Sequence, residues 1–294
     1  MRILICGATG FVGRHLTAYL SKAGHEVWQG VRQAKSIDEV SIDFTRDTTP
    51  ALWAPRLTGV DAVINAVGVL RDKPSNPMRL LHEAAPKALF TACAENGVKR
   101  IVQLSALGVG GPVTTQYFTS RKAANHQLTQ LGENIRYLLL QPSLLYGDDG
   151  ASTQLWLQLA RLPVVALPDL PNAHLQPAHI DDLAEAVARW LENPDASSMT
   201  LDVVGSSITD LAGLIASYRA QLGLSPARQG RLPRPLMNFT AQLGNWIPRS
   251  LLCSDTLRML EAGSCADPTP FASLLKRPPQ GYESFLQPRR SQDD

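Results

Sequence analysis

The chain has 294 residues, of which 44% are hydrophobic and 18% charged, so its composition is that of an ordinary globular protein. A formal net charge of +2 is too small to favour nucleic acid or an acidic membrane surface as a partner. The first apolar run is too short for a signal peptide, and no apolar stretch approaches the ~18 residues of a transmembrane helix. Four cysteines without a metal-ligand spacing favour a reducing compartment, and hence a cytoplasmic protein: Cys6, Cys93, Cys253 and Cys265.

A glycine-rich turn near the start of the chain predicts a dinucleotide phosphate site. It follows an apolar strand pattern over residues 3–6, precedes a helical pattern over residues 14–20, and contains Gly7, Gly10 and Gly13. Glycines here allow a tight turn, a close approach of backbone to a pyrophosphate, and packing of the helix on the strand. The spacing is G-x-x-G-x-x-G, and the helix N-terminus adds free N–H groups and the positive end of a dipole.

The end of the second predicted strand, residues 26–32, bears on the choice between NAD and NADP. NAD-preferring sites place an acidic residue there for the ribose 2′-hydroxyl, whereas this strand ends at Arg32. A basic residue suits a 2′-phosphate, so we expect NADP as the cofactor, with NAD less favoured. The alternative is that Arg32 is a solvated surface charge.

The rest of the first half alternates predicted strands and helices. Strands are predicted over residues 41–45, 60–68, 100–105 and 135–141, and helices over residues 51–57, 76–96 and 117–131, with a kink or break at Pro86. Runs of Val and Ile without alternation are typical of parallel strands that are covered on both faces. We therefore predict an α/β fold with a doubly wound parallel sheet of the Rossmann type, and a ligand at the carboxyl ends of its strands.

The pattern weakens after residue 147, which predicts a change of domain. We expect an NAD(P)-binding domain over residues 1–147, a smaller α/β substrate lobe over residues 148–288 that is interleaved with the first, and a disordered tail over residues 289–294. No metal site is expected in the second half, because a group of nearby polar residues matches no ligand spacing: His174, Gln176, His179, Asp181 and Asp182. The two aspartates instead suit the first turn of a helix.

Taken together, the motifs resemble the extended and atypical short-chain dehydrogenase/reductase superfamily, whose members include NAD(P)-dependent epimerases and dehydratases. The matching segments are Asp43 and residues 7–13, 63–70, 97–108, 142–147 and 176–184, which occur in the family's order. Within the superfamily, the chain looks most like the branch of the NADPH-binding accessory subunit of respiratory complex I and its bacterial relatives. The resemblance implies the fold and a nucleotide cofactor, and it implies little about a substrate.

The resemblance also implies roles for the matching residues. Arg32 would face the phosphate on the adenosine ribose, and Asp43 would hydrogen-bond the adenine, with Phe44 beside it. Ala66 and Gly68 would let the backbone pass close to the cofactor. The expected cofactor-binding residues are Gly7, Thr9, Gly10, Phe11, Val12, Gly13, Arg32, Asp43, Phe44, Ala66, Val67, Gly68, Pro142 and Ser143, of which the last two would turn the backbone toward the nicotinamide.

The superfamily's chemistry uses a Tyr, a Lys four residues later, and a Ser near the end of the fifth strand. The Tyr passes a proton to or from the substrate oxygen while hydride moves, the cation favours the ionised phenol, and the Ser hydrogen-bonds the reacting oxygen. In this sequence, Tyr117 is followed four residues later by Arg121, and Ser105 is the candidate for the hydroxyl. A strand-end Ser that binds backbone or ribose is the alternative for Ser105.

A second alignment of this helix also stays open. In the first register the Tyr survives and the Lys has become Arg, which keeps the charge but not the compact shape of an ammonium group. In the second register Lys122 is retained and Phe118 stands at the Tyr position. We favour the first register, with Tyr117 and Arg121 as catalytic residues.

Two functions of different kinds follow from these alternatives. One is an NADP-dependent oxidoreductase, or an epimerase or dehydratase that uses its bound cofactor transiently, acting on a small carbonyl, hydroxyl or quinone-like substrate. The other is a non-catalytic NADP(H)-binding protein that senses redox state or serves an assembly. The expected partner is a small-molecule substrate, nucleic acid is not expected, and the helices on the outer faces of the sheet leave a homodimer open.

Overall fold

The computed structural model describes residues 1–132, 135–170, 173–246 and 253–287. Contacts divide the chain into two compact units, one with Met1–Pro142 and Leu183–Asp202, the other with Ser143–Asp182 and Val203–Asp294. The division into a cofactor-binding domain and a substrate lobe at residue 147 stays a prediction about function. The tail predicted to be disordered, residues 289–294, lies outside the described residues.

The secondary structure of the described residues alternates strands and helices through the first half. The strands are β1 (Arg2–Cys6), β2 (Glu26–Val31), β3 (Glu39–Ser41), β4 (Ala62–Asn65), β5 (Arg100–Leu104), β6 (Arg136–Pro142), β7 (Leu145–Tyr146), β8 (Val164–Pro168), β9 (Ala178–His179), β10 (Met199–Val203) and β11 (Arg228–Leu232). The helices are α1 (Phe11–Lys22), α2 (Pro50–Trp53), α3 (Ala85–Glu95), α4 (Gln116–Thr129), α5 (Ala151–Arg161), α6 (Ile180–Glu192), α7 (Leu211–Gln221), α8 (Arg234–Trp246), α9 (Ser254–Ala262) and α10 (Thr269–Leu275).

The first unit is built on a seven-stranded sheet in the order β10-β6-β5-β4-β1-β2-β3. The central strand β1 pairs in parallel with β2 and β4, with Ile3 opposite Val27 on one side and Ala62 on the other. Strand β1 is therefore the point at which the chain changes from building one half of the sheet to building the other. In such sheets the ligand site lies outside the carboxyl ends of the strands at this point. The predicted fold class is confirmed.

The sheet is buried on both faces, as its apolar runs predict. Ile3, Leu4 and Ile5 of β1 have no solvent exposure, and Leu4 lies in a core cluster that includes Phe90 and Trp53. Since ~25 cal/mol is gained for each Å² of apolar surface removed from water, these side chains contribute much of the stability of the unit. The core thus holds the strand ends, and the loops that follow them, in fixed positions.

The helix predicted over residues 76–96 is interrupted where Pro86 was expected to break it. A π-helical turn, Leu80–Ala84, comes directly before α3, and Pro86 lies in the first turn of α3. The N–H of Ala85 donates to the carbonyl of Leu80, five residues back. Proline has no N–H for the carbonyl four residues before it, so the ordinary α-helical ladder cannot continue through this position.

One strand lies earlier in the chain than predicted. Residues 41–45 were expected to form it, but β3 covers Glu39–Ser41 and Asp43 follows it in a turn. Oδ1 of Asp43 accepts the N–H of Thr45 at 2.9 Å, which is an Asx-turn. This side chain to backbone hydrogen bond competes with strand pairing and ends the strand.

The second unit has smaller sheets and its own core. Strands β8 and β11 pair in parallel, as do β7 and β9, and the core includes Leu214, Tyr218 and Phe285. In the part of the chain that the structure describes, no helix is both long enough and apolar enough to cross a membrane.

Candidate functional site

The three glycines of the turn after β1 have different structural roles. Gly7 has φ +80°, a backbone conformation that residues with a side chain rarely adopt. A Cβ on Gly13 would lie 2.1 Å from the carbonyl oxygen of Gly7, so the first turn of α1 packs directly on the end of the strand. Gly10 is the N-cap of α1, and its N–H donates to the same carbonyl at 2.9 Å.

The N-terminus of α1 is open to an anion. Its N-cap residue, Gly10, has no side chain to accept the first N–H groups, and no acidic residue occupies the first turn. Thr9 and Gly10 are exposed, while Phe11 and Val12 are partly buried. Free N–H groups and the positive end of the helix dipole together make a phosphate site, and the tight glycine turn leaves room for it. These residues therefore fit the pyrophosphate of a dinucleotide.

The loop after β4 closes on the glycine turn. A Cβ on Gly7 would lie 3.1 Å from the N atom of Val67 and 3.2 Å from the carbonyl carbon of Ala66. The loop is held in place by Asn65, which is fully buried. Oδ1 of Asn65 accepts the N–H of Val67 at 3.1 Å, and its Nδ2 donates to Oε1 of Gln103 at 2.8 Å.

These contacts make Asn65 and Gln103 supporting residues that the sequence analysis did not single out. Both sit in apolar strand patterns, β4 and β5, where a polar residue is unusual. A buried polar residue must have hydrogen-bond partners, and that requirement is the signal that could have identified the pair.

The residues expected at the adenosine end lie together at the ends of β2 and β3. Arg32 is exposed, and its Nη2 donates to Oδ1 of Asn76 at 2.5 Å. Burial alone would raise the pKa of Asp43, but hydrogen bonds from Thr45 and the charges of Arg32 and Arg46 hold it below its ordinary value. Asp43 is therefore a carboxylate acceptor next to an exposed arginine.

Phe44 contributes to this region differently from Asp43. Its side chain is 4% exposed and packs edge-to-face on Trp53, with ring centroids 5.4 Å apart. The phenyl ring thus belongs to the hydrophobic core. Only the backbone of Phe44 remains for contact with a ligand.

Tyr117 and Arg121 lie on the same face of α4, as their spacing predicts. Cζ of Arg121 lies 4.8 Å from the centroid of the Tyr117 ring, and both side chains are buried. Lys122, the cation of the alternative register, is exposed. Phe118 is buried and lies against Gly108, where a Cβ would be 3.0 Å from its ring. The structure therefore places Arg121, and not Lys122, beside the strand ends.

Arg121 connects α4 to the loops after two central strands. Its Nη1 donates to the carbonyl oxygen of Leu104, at the end of β5, at 2.5 Å. A Cβ on Gly68 would lie 2.2 Å from Nη2 of Arg121, so only glycine leaves room for the guanidinium. Within the described residues, Nε of Arg121 is buried and has no hydrogen-bond partner. A buried cation with incomplete hydrogen bonding is costly, and such groups occur at functional sites.

His82, which the sequence analysis did not single out, belongs to the same cluster. It lies in the π-helical turn, is 2% exposed, and its ring packs edge-to-face on Tyr117 with centroids 5.6 Å apart. Burial, with the positive charge of Arg121, lowers its pKa from 6.5 to about 3. The imidazole is therefore neutral near pH 7.

The hydrogen bonds of His82 define its tautomer. Nε2 accepts the N–H of Val69 at 3.0 Å, which leaves the proton on Nδ1. That Nδ1 donates to Oγ of Ser120 at 2.8 Å, and Ser120 donates to the carbonyl of Tyr117 at 2.9 Å. A single chain of hydrogen bonds thus connects the loop after β4 to the backbone of Tyr117.

Ser105 lies directly after β5 and is 2% exposed. Its Oγ accepts from Nδ2 of Asn125, one turn beyond Arg121 on α4, at 2.6 Å. Asn125 was not recognised from the sequence. The remaining expected residues follow β6: the carbonyl of Pro142 accepts the N–H of Leu107 at 3.0 Å, and Oγ of Ser143 donates to the carbonyl of Ser264 at 2.9 Å.

Among the polar residues that the sequence analysis grouped together in the second unit, Asp182 and His179 have structural partners. Asp182 is fully buried and pairs with Nη2 of Arg277 at 2.6 Å, and it also accepts the N–H of Gln280 at 2.7 Å. The ring of His179 lies 5.2 Å from that of Tyr146. Among the described residues, no group of three His, Cys, Asp or Glu side chains is arranged to hold a metal ion.

Comparison with known proteins agrees with this geometry. Residues 7–165, more than half of the chain, match the family model described as NAD(P)H-binding. A reductase of Pseudomonas aeruginosa, UDP-2-acetamido-2,6-beta-L-arabino-hexul-4-ose reductase, is 25% identical over 249 residues, which cover 78% of this chain and 61% of the relative. NADH dehydrogenase (ubiquinone) 1 alpha subcomplex subunit 9 of Dictyostelium discoideum is 26% identical over 219 residues, covering 69% of this chain and 59% of the relative.

The chain thus spans about three fifths of the length of these two relatives. A solved structure, the human epimerase family protein SDR39U1 with NADPH, superposes with a TM-score of 0.74 at 18% identity and covers 93% of both chains. At this identity the likeness concerns the fold alone. The chain belongs to the NAD(P)H-binding family, within the extended short-chain dehydrogenase/reductase superfamily that its motifs resemble.

Proposed function

We propose that the protein is an NADP-dependent oxidoreductase, or an epimerase or dehydratase that uses NADP transiently, acting on a small carbonyl, hydroxyl or quinone-like substrate. The observation that carries the proposal is the contact between Tyr117 and Arg121, whose guanidinium carbon lies 4.8 Å from the ring centroid. An acid–base hydroxyl and a fixed positive charge are the two elements that proton transfer to a substrate oxygen requires.

The cofactor would be held along the carboxyl ends of β1, β2 and β4. The open N-terminus of α1 and its three glycines suit the pyrophosphate, and Arg32 suits a phosphate on the adenosine ribose. Because an exposed arginine, and not an acid, directly follows β2, NADP is favoured over NAD. Asp43 would accept a hydrogen bond from the adenine.

In the proposed reaction, Tyr117 moves the proton. When bound, the nicotinamide supplies or accepts the hydride. In reduction, the Tyr117 hydroxyl donates its proton to the substrate oxygen, and Arg121 stabilises the negative charge left on the phenol oxygen. Ser105, held by Asn125 at 2.6 Å, would hydrogen-bond the reacting oxygen. Oxidation reverses each of these transfers.

His82 would position Tyr117 rather than exchange protons with the substrate. Its ring packs against the Tyr117 ring, and its hydrogen bond to Ser120 at 2.8 Å fixes the helix turn that carries Tyr117. With a pKa of about 3 the imidazole stays neutral, so it adds no second positive charge beside Arg121.

A non-catalytic NADP(H)-binding role is the second candidate, and one observation favours it. Nη1 of Arg121 is engaged by the carbonyl of Leu104 at 2.5 Å, and the guanidinium lies against Gly68. An arginine held in this way is less available for ribose hydroxyls than a lysine would be. The likeness to a subunit of NADH dehydrogenase agrees with a role of this kind in an assembly.

Turnover separates the two candidates. The purified protein is titrated with NADPH and NADH, and then incubated with NADPH and a panel of aldehydes, ketones and quinones. The enzyme proposal expects tighter binding of NADPH and oxidation of NADPH with at least one substrate class. Tight NADPH binding without oxidation by any member of the panel would contradict the oxidoreductase and favour the redox sensor or assembly subunit. An epimerase or dehydratase restores its cofactor, so that form of the proposal is tested by product formation without net NADPH oxidation. The absence of dinucleotide binding would contradict both.

A further inference from the structure

Helix α8 of the second unit has an apolar face that the described residues do not cover. Leu236, Phe239, Leu243 and Trp246 form this face, which we call the α8 stripe, and they are 46%, 55%, 50% and 87% exposed. Their spacing of three, four and three residues places them on one side of the helix. Single exposed apolar residues are ordinary, whereas a contiguous row of large ones marks an interaction surface.

A different face of α8 attaches the helix to the second unit. Met237 and Ala241 are buried and cluster with Leu257 of α9, and Leu170 and Leu232 pack against them. Nδ2 of Asn245 also donates to Oγ of Ser254 at 2.9 Å, at the start of α9. Because packing within the unit uses this other face, the α8 stripe is not needed to hold the helix in place.

The chain segment that contains α8 carries basic side chains and no acidic ones. The segment from residue 211 to residue 254 contains five arginines and no Lys, Asp or Glu, a local excess that the net charge of +2 conceals. Arg228, Arg231 and Arg234 are exposed and lead directly into the helix. Arg231 and Arg234 pair with acids at 3.5 and 3.1 Å, whereas Arg228 makes no ion pair within the described part of the chain.

We propose that the α8 stripe binds the surface of a phospholipid bilayer that carries anionic headgroups. The helix would lie in the plane of the membrane, with the four apolar side chains among the acyl chains and the arginines at the phosphates. Phe, Leu and a terminal Trp on one side of a helix, with arginines in the segment that leads into it, is a composition that interfacial helices share. With 13 residues, α8 is about 20 Å long, which is too short to span a bilayer.

Charge complementarity favours a lipid surface over a second copy of the chain. A second copy of the chain would bring the same basic segment to the contact, and that segment holds no acidic residue to complement its arginines. A bilayer that contains anionic lipid instead presents a dense negative surface, to which each nearby arginine adds binding energy. The proposal is independent of the cofactor and of the reaction.

Vesicle flotation tests the proposal directly. The whole chain is mixed with vesicles of phosphatidylcholine alone, or of phosphatidylcholine with about 30% phosphatidylglycerol, a proportion that gives a strong negative surface potential. We expect binding to the anionic vesicles, with an increase of roughly tenfold over the neutral ones and a loss at high salt. The double variant Phe239→Ser/Leu243→Ser should lower binding at least tenfold. Asn238→Ser/Gln242→Ser, on the same helix but outside the stripe, should bind like the original chain.

A second variant keeps the apolar face and removes charge only. Arg228→Gln/Arg231→Gln should lower binding to anionic vesicles by roughly fivefold for each arginine, with little change for neutral vesicles. The proposal would be overturned if the chain bound neither kind of vesicle. It would also be overturned if the chain bound both kinds equally and the Phe239→Ser/Leu243→Ser variant bound them as well as the original chain does. A dimer in light scattering that this variant converts to a monomer would also overturn it, since the stripe would then be an interface between copies.

Discussion

Gly68 and Arg121 compete for the same space at the carboxyl end of the sheet: a Cβ on Gly68 would lie 2.2 Å from Nη2 of Arg121. The arginine can approach the strand ends only because the loop after β4 has no side chain at this position. The requirement for glycine is steric, since the close contact is with a side chain and not with the glycine's own backbone. The absence of a side chain at Gly68 therefore leaves space for Arg121, in addition to any space it leaves for a ligand.

Replacing Gly68→Ala should displace Arg121 and destabilise the fold. A methyl group forced against a buried guanidinium costs about 1–3 kcal/mol, to be measured as the free energy of unfolding in urea. Gly132→Ala is the matched control, because a Cβ there meets nothing within 4 Å. Adding Arg121→Lys to Gly68→Ala should recover part of the lost free energy of unfolding. If the free-energy changes of the two substitutions were strictly additive, the two residues would not share this space.

Gly13→Ala should be more damaging than Gly10→Ala in the same turn. A Cβ on Gly13 would lie 2.1 Å from the carbonyl oxygen of Gly7, whereas one on Gly10 would lie 3.2 Å from it. Backbone cannot move aside as a flexible side chain can, so we expect a loss of about 3 kcal/mol for Gly13→Ala and under about 1 kcal/mol for Gly10→Ala. Equal losses would mean that α1 does not pack on β1 as described.

His82 should make the stability of the protein fall with pH below 6.5. The pKa of His82 is about 3 in the folded protein and near 6.5 in the unfolded chain. As the pH falls, the unfolded chain therefore binds the proton at a higher pH than the folded protein does. The stabilisation is complete above pH 6.5 and is lost as the pH falls toward 3, by up to about 1.4 kcal/mol per pH unit. His82→Phe should flatten this slope relative to the original chain, while His126→Gln, at an exposed position, should leave it unchanged. Parallel slopes for all three proteins would contradict a buried neutral His82.

Arg32→Gln should weaken NADPH binding by about tenfold and leave NADH binding nearly unchanged, since a charge-assisted contact to a phosphate would be lost. Arg46→Gln is the matched control: Arg46 is also exposed and lies near the same aspartate, with its Nε 3.7 Å from Oδ2 of Asp43. Isothermal titration with both nucleotides measures the effect. If Arg32→Gln weakened the binding of NADPH and of NADH equally, there would be no reason to favour NADP.

The parallel sheet could be predicted because its signals are local. Strands such as β1 and β4 are continuous apolar runs, and the glycine turn follows β1 at once. The predicted strand near Asp43 was misplaced because an Asx-turn with Thr45 competes with pairing. Periodicity alone does not detect a side chain that ends its own strand.

The cluster around Tyr117 was only partly predictable. The spacing of Tyr117 and Arg121 on one helix face can be counted from the sequence, and the structure has that contact. The burial of His82 cannot be predicted from residue spacing, because it depends on the π-helical turn before Pro86 and on Arg121, which lies 39 residues later in the chain. Contacts between residues distant in the chain, such as Gly68 with Arg121, leave no periodic signal. The basic segment that contains α8 was missed for another reason, since the net charge of +2 averages it with the rest of the chain.

The most direct test of the proposed function compares Tyr117→Phe with the original chain in NADPH oxidation, using a substrate found in the panel. We predict that kcat falls by about 10²–10⁴, the usual contribution of a general acid, while the Kd for NADPH stays unchanged. Tyr137→Phe, which alters a tyrosine on β6, should keep full activity. If Tyr117→Phe oxidises NADPH as fast as the original chain, Tyr117 is not the acid, and the proposed mechanism is wrong.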